Sequence, residues 1–217
     1  MDAPSALGRA GGPLAWHVVE IETTAGLARV MVAAPTGEGT FLLVLTHGSG
    51  GMPDTADVLA VRDAGLALGA VTALVTQPYV VRGAKAPGSA AKQDAAWAQI
   101  IAALWARYPG LPLIQGGRSN GARVACRTAP AVRARGVIAL AFPLHPPGQP
   151  GKSRADELAS AGTAVLVLNG DRDPFGMPEA GPGTRVVALP GETHALSRNP
   201  AAIGVISGGW IREVLAG

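Results

Sequence analysis

The segment around Ser119 constrains the fold more than any other part of the chain. An apolar run at residues 113–114 leads into Gly117-x-Ser119-x-Gly121, and a helix-forming pattern covers residues 122–129. This spacing is typical of a nucleophile elbow, in which a serine occupies a tight turn between a buried strand and a helix. Glycines on either side fit this turn, because a side chain would clash where the strand and the helix cross. An ordinary glycine-rich turn has the same spacing, so the interpretation depends on the surrounding sequence.

Apolar runs and helical patterns alternate along most of the chain. Residues 16–22 and 27–33 alternate between apolar and polar side chains, which predicts an N-terminal antiparallel hairpin. The other elements expected are strands at 41–45, 71–75, 136–142, 164–168 (breaking at Asn169-Gly170) and 184–189, and helices at 54–68 (capped by Asp54-Thr55), 91–107, 122–129, from 153, and at 199–215. Strands that alternate with helices indicate the α/β class, with a mostly parallel twisted sheet covered by helices on both faces.

Composition favours one compact domain. The chain has 217 residues, of which 48% are hydrophobic and 15% charged, so it is long and apolar enough to bury a full core. We expect a flexible tail at residues 1–14 and a single domain over residues 15–217. The net charge is only +3 and the arginines are scattered, so nucleic-acid binding has little support.

Other classes of site and location also lack support in the sequence. The N-terminal residues contain no apolar segment of a signal peptide, and no apolar run approaches the length of about 18 residues that a membrane-spanning helix needs. We therefore expect a cytoplasmic protein without membrane contact. Cys126 is the only cysteine, which excludes an internal disulfide and a cysteine-based metal cluster. No metal or cofactor is predicted, Cys126 is expected to be a small buried hydrophobe, and the oligomeric state does not follow from the sequence.

A serine hydroxyl needs a general base within hydrogen-bonding distance to act as a nucleophile. The chain contains four histidines. His17 falls in the predicted hairpin, His47 precedes a glycine-rich loop, and His145 lies in a proline-rich loop. His194 comes late in the chain after a short strand, in the order serine, acid, histidine that this architecture requires. By elimination, His194 is the predicted base.

The acid partner should lie between Ser119 and His194. Asp171 and Asp173 follow a predicted strand and so reach the carboxyl edge of the sheet, where parallel sheets place their chemistry. Asp173 is preferred, because the proline after it favours an extended conformation that projects its carboxylate toward a neighbouring loop. Asp171 is expected to be a salt-bridging neighbour. Glu192 is an alternative local orienter of the histidine.

Two loops are expected to supply backbone N–H groups to a developing oxyanion. One donor is Asn120, at the start of the helix after Ser119, and the second belongs to Ser49 or Gly50 in the glycine-rich loop. A phosphate-binding loop is disfavoured there, because the glycine spacings of the common phosphate loops do not occur. The substrate-binding residues predicted around the same site are Met52, His145 and Phe175.

Five motifs together resemble the α/β-hydrolase superfamily. They are His47-Gly48-x-Gly50-Gly51, Gly117-Arg118-Ser119-Asn120-Gly121, the Phe-Pro-Leu-His-Pro-Pro-Gly that begins at Phe142, the Gly-Asp-Arg-Asp-Pro-Phe-Gly that begins at Gly170, and His194. More narrowly, the chain resembles dienelactone-hydrolase-like proteins, in a branch that also includes a subunit of an animal chromatin-regulating complex. The resemblance covers almost all of the chain after Trp16. It implies an α/β-hydrolase fold and a triad of Ser119, Asp173 and His194.

Two kinds of function fit this resemblance. The first is a serine hydrolase that cleaves a small ester, thioester or similar acyl substrate through an acyl-enzyme. Dienelactone hydrolases use a cysteine where this chain has Ser119, so their own activity is not implied. The short connection after residue 142 has no room for a lid domain, which favours an open pocket and small substrates. The second is a non-catalytic protein-interaction domain on the same fold, although the complete set of catalytic residue types favours the enzyme. No role follows for Arg118 or for the loop that contains Arg82 and Lys85.

Overall fold

The computed structural model describes residues 16–35 and 37–217, so the tail expected at residues 1–14 lies outside the described residues. In that part of the chain, eight strands form one sheet: β1 (Trp16–Thr23), β2 (Gly26–Ala33), β3 (Phe41–Thr46), β4 (Ala70–Thr76), β5 (Leu113–Arg118), β6 (Gly136–Leu140), β7 (Ala164–Gly170) and β8 (Thr184–Leu189). The helices around it are α1 (Ala56–Ala67), α2 (Pro78–Val81), α3 (Ala90–Arg107), α4 (Asn120–Thr128), α5 (Ala155–Ala159) and α6 (Pro200–Ala216).

The strands follow the order β1-β2-β4-β3-β5-β6-β7-β8. The β1–β2 and β2–β4 pairs are antiparallel, and each of the other pairs is parallel. The predicted N-terminal hairpin and mostly parallel sheet are therefore confirmed. Parallel neighbours need crossover connections, and the helices between the strands supply most of them. As a result, the loops that leave β3, β5, β7 and β8 meet at one edge of the sheet.

Helices cover the sheet on both faces. β3 and β4 are buried at every position, as expected for central strands with a helix layer on each side. One core cluster contains α3 and α4 residues around Trp97, and the other contains α1 and α6 residues around Trp210. Trp97 is 1% exposed, and its indole N–H donates to Oε1 of Gln115 at 2.7 Å. Trp97 is therefore a core residue that links α3 to β5.

Three local expectations are wrong. The segment expected to be a polar loop begins with α2, whose first residue is Pro78, a position at which the missing N–H of proline costs nothing. Thr55 occupies the N-cap position of α1, as expected, but the capping hydrogen bond from the helix to its hydroxyl is not formed. β7 does not break at Asn169 and continues through Gly170. It continues because Asn169 and Gly170 still pair with Ala188 and Leu189 of β8. The buried Asn169 side chain also accepts from the Phe142 N–H at 2.8 Å and donates to the Phe142 carbonyl at 3.1 Å.

Candidate active site

Ser119 lies on the turn between β5 and α4 in a backbone conformation that few residues adopt. Its φ is 52° and its ψ is −113°, and strain of this kind concentrates at functional sites. A Cβ on Gly117 would lie 2.7 Å from the carbonyl oxygen of Thr46, and a Cβ on Gly121 would lie 2.7 Å from that of His47. Both glycines are therefore needed where α4 crosses the ends of β3 and β5. The turn leaves Ser119 half-buried, with its hydroxyl within reach of the loop that follows β8.

The structure brings the Ser119 hydroxyl, the His194 imidazole and the Asp173 carboxylate into one hydrogen-bonded chain. Oγ of Ser119 lies 3.0 Å from Nε2 of His194, and Nδ1 of His194 lies 2.8 Å from Oδ2 of Asp173. The Asp173 side chain is fully buried, and its other oxygen accepts from the Phe175 N–H at 2.9 Å. If Nδ1 carries the proton toward this carboxylate, Nε2 of the neutral imidazole is free to accept the proton of the serine.

Asp171 lies beside this chain but takes no part in it. Its Oδ1 accepts from the Gly191 N–H at 2.8 Å, and the residue is exposed. Among the described residues Asp171 forms no ion pair. The salt bridge expected there is therefore wrong. Because a backbone amide holds the carboxylate, Asp171 ties the loop after β7 to the loop after β8.

Glu192 orders the backbone on either side of His194. The residue is 2% exposed, and its Oε1 accepts from the N–H groups of Arg198 and Asn199, both at 2.8 Å. A Cβ on Gly170 would overlap the carbonyl group of Glu192, so only glycine lets the loop cross the end of β7 this closely. Glu192 thus acts on the loop, while Asp173 is the acid that contacts the imidazole.

The glycine-rich loop after β3 forms a turn beside the serine. The Gly51 N–H donates to the Gly48 carbonyl at 3.3 Å, and Gly50 has a φ of 71°. A positive φ at this third position is characteristic of a type II turn, which explains the glycine. A Cβ on Gly48 would lie 3.2 Å from Cβ of Ser119, so the turn passes close to the nucleophile elbow.

Two of the predicted oxyanion donors have no acceptor within the described part of the chain. The N–H groups of Ser49 and of Asn120, the first residue of α4, donate to no protein atom there, whereas the Gly50 N–H lies close to the Tyr79 hydroxyl. Unpaired N–H groups are normal in the first turn of a helix and favour negative charge. The Asn120 side chain does not accept hydrogen bonds from these N–H groups, because it is turned toward Gln93, where its Nδ2 donates to Oε1 at 2.7 Å.

His47 anchors the glycine-rich loop. Its Nδ1 lies 2.7 Å from the Gly48 carbonyl oxygen, and its Nε2 accepts from the Gln77 N–H at 3.0 Å. Burial lowers the pKa of the His47 imidazole, so the neutral ring with its proton on Nδ1 satisfies both contacts. The Tyr79 hydroxyl also donates to the Gly48 carbonyl, at 3.3 Å. These contacts fix the turn that faces Ser119.

Of the three predicted substrate-binding residues, Phe175 contacts the hydrogen-bonded chain directly. Its ring centroid lies 4.2 Å from that of His194, with the two planes tilted by 31°. The backbone N–H of His145 donates to the Phe175 carbonyl at 3.0 Å, and the His145 ring packs against Gly176. Met52 is 48% exposed in the loop before α1. Their roles in binding a substrate stay predictions.

Two residues at this site were not assigned from the sequence. Nη2 of Arg118 donates to the backbone carbonyl of His194 at 2.7 Å, and Nε of Arg118 lies 3.2 Å from Oδ2 of Asp57. Burial raises the pKa of the Asp57 carboxyl, and the Arg118 charge opposes that shift. One sequence signal pointed to Asp57: it lies four residues before Val61, which places an acid on the buried face of α1.

Cys126 is expected to be chemically inert in the folded protein. It lies in α4 and is fully buried, and burial raises the pKa of its thiol to about 12. Because the thiolate is the reactive form, a disulfide reagent such as DTNB should not react within minutes under native conditions. In denaturant the same protein should release one equivalent of chromophore. Rapid native-state reaction that disappears in Cys126→Ser would contradict this expectation.

The described residues offer few alternatives to this site. Over residues 16–35 and 37–217, no three histidine, cysteine, aspartate or glutamate side chains are grouped so that they could hold a metal ion. No helix in the same ranges is long and apolar enough to cross a membrane.

Arg82, whose role was open, donates from Nη1 to the Ala25 carbonyl at 2.8 Å and so links the segment after α2 to the hairpin.

A mostly parallel sheet with a strained serine turn at its carboxyl edge defines an α/β-hydrolase fold. The model of the alpha/beta hydrolase domain family matches residues 39–187, more than half of the chain, and the chain therefore belongs to this family. This membership confirms the fold that the motifs predicted. A comparison with curated protein sequences returned no match.

Solved structures of bacterial proteins share the fold. Est1E from Butyrivibrio proteoclasticus is 15% identical, with 92% of this chain and 99% of that chain covered and a TM-score of 0.74. XC6422 from Xanthomonas campestris, described as a serine hydrolase without lid, is 18% identical, with 96% and 99% covered and a TM-score of 0.74. A dienelactone hydrolase from Anabaena variabilis is 16% identical, with 92% and 98% covered and a TM-score of 0.73. At these identities the likeness concerns the fold, and the relationship to a chromatin-complex subunit stays a prediction.

Proposed function

We propose that this protein is a serine hydrolase that cleaves a small ester or related acyl substrate through an acyl-enzyme. The observation that carries the proposal is the continuous chain from the Ser119 hydroxyl through His194 to the buried Asp173 carboxylate. Each member has the partner that its role requires: the nucleophile has a base, and the base has an acid that orients it. Free N–H groups on both sides of Ser119 add the means to stabilise an oxyanion.

In the acylation step, Oγ of Ser119 forms a bond to the carbonyl carbon of the substrate and passes its proton to Nε2 of His194. The carbonyl oxygen becomes an oxyanion, which accepts hydrogen bonds from the N–H of Asn120 and from the Ser49–Gly50 turn. When the tetrahedral intermediate collapses, the bond to the leaving group breaks and His194 returns the proton to the departing oxygen or sulfur. The Asp173 carboxylate orients the imidazole and stabilises the imidazolium.

Deacylation repeats these steps with water. His194 Nε2 takes a proton from the water as its oxygen attacks the acyl carbon, and then returns that proton to Oγ of Ser119 as the carboxylic acid leaves. The same oxyanion donors serve both halves of the reaction. No metal ion or organic cofactor is needed to balance it.

The short loops around the site favour small substrates. The connection from β6 to β7 contains only the short helix α5, and within residues 16–35 and 37–217 no additional domain covers Ser119. XC6422, which has the same fold, is described as lacking a lid, and a structure of Est1E is described with ferulic acid bound. These descriptions concern those proteins, but they support an open site in this chain that accepts a small acyl group.

The proposal is tested with p-nitrophenyl esters whose acyl chains run from two to ten carbons, together with an acyl thioester. We expect measurable turnover with the two- to four-carbon esters and lower kcat/KM with the longer ones, because an open site offers little apolar surface to a long chain. A protein that served only as an interaction domain would release no p-nitrophenol above the buffer rate. Absence of turnover with every ester and thioester would contradict the proposal.

A further inference from the structure

Arg118 connects three segments that border the candidate nucleophile. It ends β5 and is followed directly by Ser119. Its Nη2 donates to the backbone carbonyl of His194 at 2.7 Å, and its Nε lies 3.2 Å from Oδ2 of Asp57 in α1. Its Nη1 lies 3.8 Å from the position that a Cβ on Gly48 would occupy, against the glycine-rich turn. One guanidinium thus contacts the histidine loop, the oxyanion turn and the helix that follows this turn.

Asp57 anchors the guanidinium in this position. Its side chain is 0% exposed and that of Arg118 is 19% exposed, so the contact is shielded from water. The two nearest atoms are not aligned for a hydrogen bond, and the pair is therefore held by charge and by packing. A buried carboxylate without a counter-charge is costly, which ties the presence of Asp57 to that of Arg118.

We propose that Arg118, anchored by Asp57, is a positioning residue that holds the His194 loop in register with Ser119. The consequence for turnover rests on the proposed function, while the effect on the loop does not. Because the hydrogen bond ends on the backbone carbonyl of the histidine itself, its loss frees the residue whose Nε2 lies 3.0 Å from the serine hydroxyl. A misplacement of about 1 Å costs on the order of 10²-fold in rate.

The geometry requires arginine and not merely a positive charge. A guanidinium is planar and presents five donors in a fixed fork, so one nitrogen faces Asp57 while another donates to the His194 carbonyl. A lysine ammonium is a single point on a flexible chain and cannot hold both contacts at once. Arg118→Lys keeps the charge and is therefore expected to behave like Arg118→Met.

Hydrogen–deuterium exchange tests the positioning without relying on activity. In Arg118→Met, the amides of residues 191–199 should exchange about tenfold faster than in the wild type. Arg127→Met is the matched control, since Arg127 also forms a partly buried ion pair, with Asp94 at 2.7 Å, but does not contact the His194 loop. The control should leave exchange in residues 191–199 unchanged. Equal exchange in Arg118→Met and the wild type would overturn the proposal.

Asp57→Asn removes the negative charge that holds Arg118 and changes the shape of the side chain little. It replaces Arg118→Met in this experiment if that variant fails to fold. It should raise exchange in the same segment about threefold, and unchanged exchange would again overturn the proposal.

Steady-state kinetics then measure the consequence for turnover. On p-nitrophenyl acetate, Arg118→Met and Arg118→Lys should each lower kcat about 30- to 100-fold and leave KM within about threefold, because a positioning residue acts through the His194 backbone that it holds. The double variant Arg118→Met/Asp57→Asn should be no slower than Arg118→Met, because the two residues act as one unit. Wild-type kcat in a folded Arg118→Met, or a change in KM alone, would overturn the positioning role. A wild-type protein without turnover would count against the proposed function, and the exchange measurement would still decide the role of Arg118.

Discussion

Replacing Ser119 by alanine is expected to abolish hydrolysis of p-nitrophenyl acetate while the protein stays folded. In the proposed reaction this hydroxyl attacks the substrate, and no other side chain occupies its position 3.0 Å from Nε2 of His194 in the described part of the chain. Loss of the nucleophile costs on the order of 10⁶ in kcat in a serine protease, and only the residual catalysis of the oxyanion donors remains. The positive φ at this position is disfavoured for serine and alanine alike, so the melting temperature should change little.

Ser197→Ala is the control for this substitution. Ser197 is exposed and lies three residues after His194, so its loss changes the same loop without touching the hydrogen-bonded chain. It should retain wild-type turnover within about twofold, the size of effect typical of a surface substitution. Turnover of Ser119→Ala at the wild-type rate, with both variants folded, would show that Ser119 is not the nucleophile.

Asp173→Asn is expected to lower kcat by about 10⁴, the scale known for an aspartate-to-asparagine change in a serine-protease triad. Oδ2 of Asp173 lies 2.8 Å from Nδ1 of His194 and its Oδ1 accepts from the Phe175 N–H at 2.9 Å. An asparagine that keeps the second contact presents its amide N–H₂ to Nδ1, which forces the proton of the imidazole onto Nε2. The imidazole can then no longer accept the proton of Ser119.

Asp171→Asn is the matched control, because the same change of charge occurs two residues away. Its oxygen accepts from the Gly191 N–H at 2.8 Å, and an asparagine oxygen still accepts there. We expect turnover within about threefold of the wild type and a loss of about 1 kcal/mol or less in the free energy of unfolding. A loss of 10³ or more in Asp171→Asn, with Asp173→Asn fully active, would reverse the assignment of the acid.

The fold could be predicted because its strongest signals are local. The apolar run at Phe41–Thr46 is buried at every position, as a central parallel strand requires. The glycines at 117 and 121 identified the turn at Ser119 without any knowledge of what they contact. Expectations failed where distant segments pair: Asn169 and Gly170 continue β7 because they pair with Ala188 and Leu189 of β8, which no local pattern reveals.

The order of strands and polar residues along the chain predicted Ser119, Asp173 and His194 as site residues, and the structure places these three in contact. Their supports were harder to find. No role followed from the sequence for Arg118, because its partner Asp57 lies in another element of the fold. Gln93 likewise gave no signal, although it holds the Asn120 side chain away from the oxyanion donors. The residues proposed to carry the reaction follow the ends of strands, whereas residues that position them can come from any element that packs nearby.

Labelling with a fluorophosphonate tests the central claim most directly, because this reagent forms a bond only with an activated serine. Intact mass after labelling should show one adduct, peptide mapping should place it on Ser119, and Ser119→Ala should remain unmodified while Ser197→Ala is labelled like the wild type. Absence of an adduct on the folded wild-type protein, or an adduct on another serine such as Ser49, would contradict the claim that Ser119 is an activated nucleophile.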